Sequence, residues 1–410
     1  MIRWVPFRFF LTSLFAVPLF LGVLVVLGLG GCATGPSGRD QADGTVSRGI
    51  SQEVEDRLQA MTLRERIGQR FLVHVPRGFA RDGGVSEDYV TLLKEGAPAG
   101  MIVYPWNYRN RQELETLTGK LQRLARYHSA GGSFLIAADQ EGGRVAAYRF
   151  ADLPRFPSAA VMARQARAGT SNAAGTPDRT YIYSQAYITG RDLLSMGINL
   201  NFAPVADLSD RPDRAAIGDR SWGNDPGVVS DLTRAYLGGL GAAGVIGTVK
   251  HFPGHGVTRV DSHGRLPVAD MTLDELIDRD MHPFIGAVSE GVPAIMTAHI
   301  LFPRIDGEYP VTISEVFLHD LLRLRLGYEG VVITDGLSMG ALANNYDIDL
   351  VLERALRYDV DLILLHDRYD IRDIMSRVMG LLESGRISEA DIDRGVRRVL
   401  TLKEQYGLLD

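Results

Sequence analysis

The sequence predicts an α/β protein built as a single (β/α)8 barrel of the TIM type, and three observations predict it. Eight short apolar runs recur from about residue 62 onward, helix-patterned segments separate them, and nearly every run ends in polar or charged side chains.

The runs are FLVHV (71–75), GMIVYP (100–105), SFLIAAD (133–139), INLNFAPV (198–205), VIGTVKH (245–251), AIMTAH (294–299), VVITD (331–335) and DLILLH (361–366). Most are nearly continuous in apolar and β-branched residues, as parallel strands covered on both faces should be. RQELETLTGKLQRLARYH (111–128) and DLTRAYLGGLGAAG (231–244) read as intervening helices. Eight such units over roughly 350 residues fit the usual size of a (β/α)8 barrel. A doubly wound open sheet is the rival arrangement. The strand ends favour the barrel. Asp139-Gln140-Glu141-Gly142-Gly143-Arg144 follow the third run, Lys250-His251 close the fifth, and His299, Asp335 and His366-Asp367 end the last three. A barrel brings all of these to one rim, where barrel enzymes keep their active sites.

The N-terminus reads differently. Arg3 and Arg8 precede an uncharged run from Phe9 to Gly31, which ends in Leu29-Gly30-Gly31-Cys32, and Cys32 is the sole cysteine. A basic start, an apolar stretch and small residues before a cut describe an export signal. Leu-Gly-Gly-Cys resembles a bacterial lipobox, which implies residues 1–31 as signal peptide and Cys32 as the lipidated, membrane-anchored N-terminus. The alternative is an uncleaved span, since the run is long enough to cross the hydrocarbon core. Residues 32–50 are small, polar and Gly-rich, a flexible tether before a catalytic domain at 51–410. The expected location is the periplasmic side of a membrane, with Ala33 rather than aspartate pointing to the outer one. A second polar stretch, GTSNAAGTPD (169–178), reads as a surface loop.

A hydrophobic content of 45%, a charged content of 23% and a net charge of −6 describe a soluble globular chain, and no basic stripe invites nucleic acid.

The stretch KHFPGHGVTRVDSHG (250–264) concentrates three of the chain's nine histidines. Metal binding is one explanation, since His251 and His255 stand at i, i+4 with Asp261 and His263 beyond. Pro253, Gly254 and Gly256 disfavour the helix that would give this spacing its geometry, so no metal or other cofactor is expected. Proton transfer is the other explanation. Asp261 would orient His263 and stabilise its protonated form, making it a general acid and base near neutral pH. Its natural counterpart is a nucleophile on another strand. Asp335, ending a wholly apolar strand, suits the carboxylate that retaining glycoside hydrolysis requires.

KHFPGHG…DSH, DQEGGRV, NFAPVADL, IGDRSWGNDP and ITDGLSM together resemble the family-3 glycoside hydrolases, and more narrowly their bacterial β-N-acetylglucosaminidase branch. The similarity runs from about residue 60 to the C-terminal segment. It implies Asp335 as nucleophile, His263 as general acid/base and Asp261 as its orienting partner. Asp139 would accept hydrogen bonds from sugar hydroxyls, while Arg220, Lys250 and His251 would donate to the hydroxyls and the acetamido group. Two departures stand out. The family's common Thr-Asp-Asp is Thr334-Asp335-Gly336 here, and the arginine expected soon after DQEGGRV is matched only by Arg149, two residues late. Relatives with a second α/β sandwich domain are β-glucosidases, and the chain is expected to follow the single-domain branch. The implied substrate is an amino-sugar oligosaccharide or muropeptide carrying terminal β-linked N-acetylglucosamine, handled by a monomer, with water or phosphate as acceptor. A β-glucosidase or broad-specificity hexosaminidase of the same fold stays open, as does a lipid-anchored sugar-binding barrel without catalysis.

Overall fold

Within each strand run, alternate residues enter two different cores. Leu72, Leu135, Ala137, Leu200, Ile246, Met296, Val331, Ile333 and Leu364 pack together as one buried cluster. Phe71, Val73, Ile136, Ala138, Ile295, Val332, Ile363 and Leu365 belong to a second, larger one. Strand side chains alternate with period two, so the first set fills the barrel interior and the second meets the surrounding helices. Both faces are apolar, which is why the runs look continuous in sequence.

The computed structural model describes residues 50–77, 86–168, 176–209, 217–256, 258, 262 and 264–410. The eight barrel strands are β1 (Phe71–His74), β2 (Gly100–Ile102), β3 (Leu135–Ala138), β4 (Leu200–Asn201), β5 (Ile246–Phe252), β6 (Ala294–Thr297), β7 (Val331–Thr334) and β8 (Ile363–Leu365). They pair in parallel in chain order, and β8 returns to β1 through Phe71↔Ile363, Leu72↔Leu364 and Val73↔Leu365. A parallel bridge between Ile333 and Leu362 links β7 to the start of β8. The eight expected runs and the eight strands coincide in order. Seven of the strands are shorter than their runs, whereas β5, at Ile246–Phe252, keeps Lys250 and His251 within the strand. Within INLNFAPV the strand pairs through Leu200 and Asn201, and Val205 adds an isolated parallel bridge to Lys250.

The helices follow local start and stop signals. Helix Arg111–His128 has the expected bounds, with the Asn110 side chain accepting from the Glu113 N–H. The expected helix at 231–244 begins earlier, at Pro226, because Asp225 accepts from Val228 N–H as a cap and Pro226 suits the first turn. It ends where Gly244 takes a left-handed φ of 86°. Most of the 169–178 loop lies outside the described residues. Its last member, Asp178, caps helix Arg179–Ser195. The signal segment, Cys32 and nearly all of the tether also lie outside them. Among the described residues, no helix is long and apolar enough to cross a membrane.

At the β7–β8 seam a fully buried carboxylate replaces missing ladder bonds. Asp361 accepts from the Val332 N–H at 2.7 Å, from Arg323 at 2.6 Å and from Arg398 at 2.9 Å. Its backbone carbonyl accepts from Arg70 Nε at 2.9 Å. Asp361→Ala would leave two guanidinium groups short of their counter-charge. A loss of about 3–5 kcal/mol is expected, read as a lower urea midpoint. Glu53→Ala, which breaks the exposed 3.7 Å pair with Arg57, should cost no more than about 1 kcal/mol in the same assay.

Candidate active site

The alternation that fills the barrel also aims the site. The interior series 135, 137 continues to Asp139, 331, 333 to Asp335, 362, 364 to His366, and 100, 102 to Tyr104. Each lies just past its strand's last apolar residue, and all four line one cavity of about 420 Å³ at the C-terminal rim.

Lys250 and His251 also line it, although neighbours in a regular strand point to opposite faces. The register of β5 against β6 shifts here: Lys250 pairs with Met296, but Phe252, two residues on, pairs with Thr297. This bulge accommodates the extra residue and lets both side chains serve the same cavity.

Lys250 Nζ donates to Asp139 Oδ1 and Glu141 Oε1, both at 2.7 Å. Arg220 grips Glu141 with two bonds of 2.7 Å, through Nε and Nη2. Burial opposes the charges of Glu141 and Lys250, yet the cations hold Glu141 down at about 2, and the two carboxylates keep Lys250 above its ordinary value. Arg220, set between Glu141, Asp207 and Asp139, is likewise raised against the effect of burial. Glu141 is delivered by a hairpin, Gln140–Gly142 against Val145–Ala146. Gly142 (φ 94°) turns so closely under Pro157 that a Cβ would lie 2.3 Å from its carbonyl oxygen. That is why DQEGG needs its glycine there.

Asp207 is fully buried and organises the turn after β5. Its Oδ2 accepts from His251 Nδ1 at 2.7 Å, while Oδ1 accepts the N–H groups of His251 at 3.2 Å and His255 at 2.7 Å. The pairing fixes the proton on His251 Nδ1 and leaves Nε2 for the cavity. Burial would raise the Asp207 carboxyl, but the two histidines and the N–H bond hold it low. His255 is pushed down by burial and by neighbouring His251. The two rings meet edge to face at 5.8 Å in an irregular turn rather than on a helix.

For Asp335, burial again works against ionisation. His251, His299, the Gly336 N–H (2.8 Å to Oδ1) and Lys250 outweigh it and keep the carboxyl far below its usual range. These contacts favour its ionised form.

The Glycosyl hydrolase family 3 N terminal domain matches residues 62–402. The chain belongs to glycosyl hydrolase family 3. A β-hexosaminidase A of Pseudoalteromonas piscicida is 34% identical over 329 residues, covering 74% of this chain and 53% of that protein. The chain thus spans about half the length of that relative. A Bordetella avium β-hexosaminidase is 32% identical over 323 residues, covering 78% of this chain and 85% of its own. A family-3 β-N-acetylglucosaminidase from Paenibacillus sp. str. FPU-7 superposes with a TM-score of 0.77 at 35% identity, covering 85% of this chain and 63% of that one. M tuberculosis LpqI gives 0.73 at 27% identity, covering 87% and 97%.

Of the residues expected in the site of this family-3 barrel, Asp335, Asp139, Arg220, Lys250 and His251 line the cavity. Asp261 and His263 lie outside the described residues. Ser262 between them lines the cavity, its Oγ 3.2 Å from His255 Nε2 and its carbonyl accepting from Ala341 N–H. Arg149 is not among the lining residues. It is exposed and donates to the carbonyls of Gly143 (3.0 Å) and Arg144 (2.8 Å). The two additional residues explain this: Ala147 and Tyr148 are buried in the core, and the chain emerges at the surface at Arg149. Sequence reasoning named Glu141 among the strand-end residues without giving it a role, and passed over Asp207, Tyr104 and Trp106. The first two sit inside DQEGG and NFAPVADL, where an acidic residue in an otherwise apolar or Gly-rich motif was the available signal.

Glu141 supplies a pH test. Its folded value of about 2 lies below the unfolded ~4.3, so its contribution to stability is complete above ~pH 4.3 and is lost as pH falls through about 2. Glu141→Gln should lower the melting temperature at neutral pH and flatten its decline across that acid window, followed by calorimetry.

Proposed function

We propose that the protein is a retaining exo-β-N-acetylglucosaminidase that removes terminal, non-reducing β-linked N-acetylglucosamine, with peptidoglycan-derived fragments as its source. The observation that carries this reading is Asp335: an ionised carboxylate at the end of an apolar interior strand, open to a cavity whose cations, Lys250 and Arg220, already have carboxylate partners. Relatives named β-hexosaminidase and β-N-acetylglucosaminidase support the choice of sugar.

In the first step an Asp335 oxygen attacks the anomeric carbon, the glycosidic C–O bond breaks, and His263 gives its proton to the departing oxygen. In the second, His263 takes a proton from water as that water attacks the glycosyl ester and returns Asp335 to its anionic form. Asp261 keeps the imidazole oriented. Asp139 receives a sugar hydroxyl, and Arg220, Lys250 and His251 line the rest of the ring site. The positive charge that develops at the anomeric centre forms against the Asp335 anion, which is the electrostatic requirement of the transition state. We further propose that Cys32 carries the lipid anchor on the periplasmic side. Cys32→Ala should abolish incorporation of labelled fatty acid, and equal labelling of both proteins would reject the anchor.

Asp335→Ala should abolish turnover of every substrate, because both steps pass through that carboxylate. His263→Ala should cost ~10² to 10⁴-fold on a natural disaccharide but much less on an activated nitrophenyl glycoside, whose leaving group needs little protonation. With that substrate the mutant should accumulate a glycosyl adduct on Asp335, visible by intact-protein mass, and azide should speed its release. Asp261→Asn should act as a milder His263 variant. Equal damage to both substrates by His263→Ala, or an adduct elsewhere, would sink this division of roles.

A further inference from the structure

Gly336, directly after Asp335, has no positive φ, so backbone freedom does not explain a glycine there. Space does. A Cβ at this position would lie 2.5 Å from Cε1 and 2.7 Å from Nδ1 of His366, on the interior face of the next strand's end. His366 is itself tethered: its Nε2 shares a short hydrogen bond with the Tyr104 hydroxyl. Tyr104 stacks on Trp106, with centroids 4.3 Å apart and an interplanar angle of 18°. The peptide that His366 packs against is also held on other sides. Gly336 N–H donates to Asp335 Oδ1 at 2.8 Å, and Gly336 O lies 3.1 Å from His299 Nε2, whose Nδ1 is 2.7 Å from Thr312 Oγ1.

We propose that His366, anchored by Tyr104, is a positioning residue for the nucleophile: its imidazole bears on Gly336 and keeps the Asp335–Gly336 turn in the one arrangement that aims the carboxylate at the anomeric carbon. The proposal rests on Asp335 being the nucleophile. It accounts for the replacement of the family's second aspartate by glycine, since any side chain at 336 would displace the ring. Attack geometry is steep in distance, and a misplacement of about 1 Å can cost ~10²-fold in rate.

The test is a double-mutant cycle on the single-turnover release of nitrophenol from nitrophenyl β-N-acetylglucosaminide, with enzyme in excess. Gly336→Ala should slow this step by roughly 10²-fold, because the methyl and the imidazole compete for one space. His366→Ala should slow it less, with the half-saturating substrate concentration unchanged. The double variant should be faster than Gly336→Ala alone, since the vacated ring space receives the methyl. Tyr104→Phe, which keeps the ring but removes the hydroxyl's bond to the imidazole, should be a weaker copy of His366→Ala, and His366→Gln should restore part of the rate.

Strictly additive losses would overturn the positioning role. So would a His366→Ala protein that melts earlier but reacts at the wild-type rate, or one whose defect lies wholly in substrate binding. Should Gly336→Ala not fold, the His366 and Tyr104 variants still decide the matter. The wild-type adduct separates the two claims: a label away from Asp335 removes the nucleophile assignment, whereas a label on Asp335 with an unaffected His366→Ala rate removes only the positioning role.

Discussion

Glu141 is the charge on which the rest of the site depends. Fully desolvating a carboxylate, a lysine and an arginine is costly for each alone, and breaking such a group by removing one member leaves uncompensated charge in a low-dielectric interior. Here Glu141 takes two bonds from Arg220 and one from Lys250, and Asp139 takes the other lysine bond. The cluster ties the rim after β3, the segment carrying Arg220 and the end of β5 into one rigid wall. The polar side chains of that wall are therefore held in place by one another, which is what preorganised binding requires.

The same pairing decides the electrostatics of Asp335. Were Lys250 and Arg220 without carboxylates of their own, they would be drawn to Asp335, the nucleophile we propose. Because Asp139 and Glu141 occupy them, Asp335 is held anionic by a more diffuse field, from His251, His299, one peptide N–H and a lysine already shared. A carboxylate stabilised this way keeps its charge while retaining open access to the cavity. Asp207 supports the arrangement from behind, holding both His251 and the chain that leads toward the Asp261–His263 motif.

Two local departures from regular strand geometry complete the wall. The bulge in β5 turns a pair of consecutive residues toward one cavity. The glycine after Asp335 admits a histidine ring from the neighbouring strand end. Each alters the barrel by a single residue, and each lies where side chains of adjacent strands compete for the same volume at the rim. Below the rim, at the N-terminal end of the β7–β8 seam, the charged group is Asp361, whose partners are guanidinium and backbone and whose work is closure of the sheet.

Eight nearly continuous apolar runs, separated by helical segments and closed by polar residues, were enough to predict a parallel barrel and to bring Asp139, Lys250 and Asp335 to one rim, because a barrel gathers the C-terminal ends of all its strands on one face. The motifs added Arg220 and a role for His251. Only the tertiary structure decided the rest. Glu141 and Asp207 matter through partners 79 and 44 residues away, a separation that no local pattern encodes. Arg149 leaves the site because Ala147 and Tyr148 are drawn into the core ahead of it, a packing outcome set by the surrounding helices and hairpin. Gly336 reads in sequence as a missing carboxylate and in space as room for His366, since the volume at one residue is fixed by whichever side chain the fold brings against it.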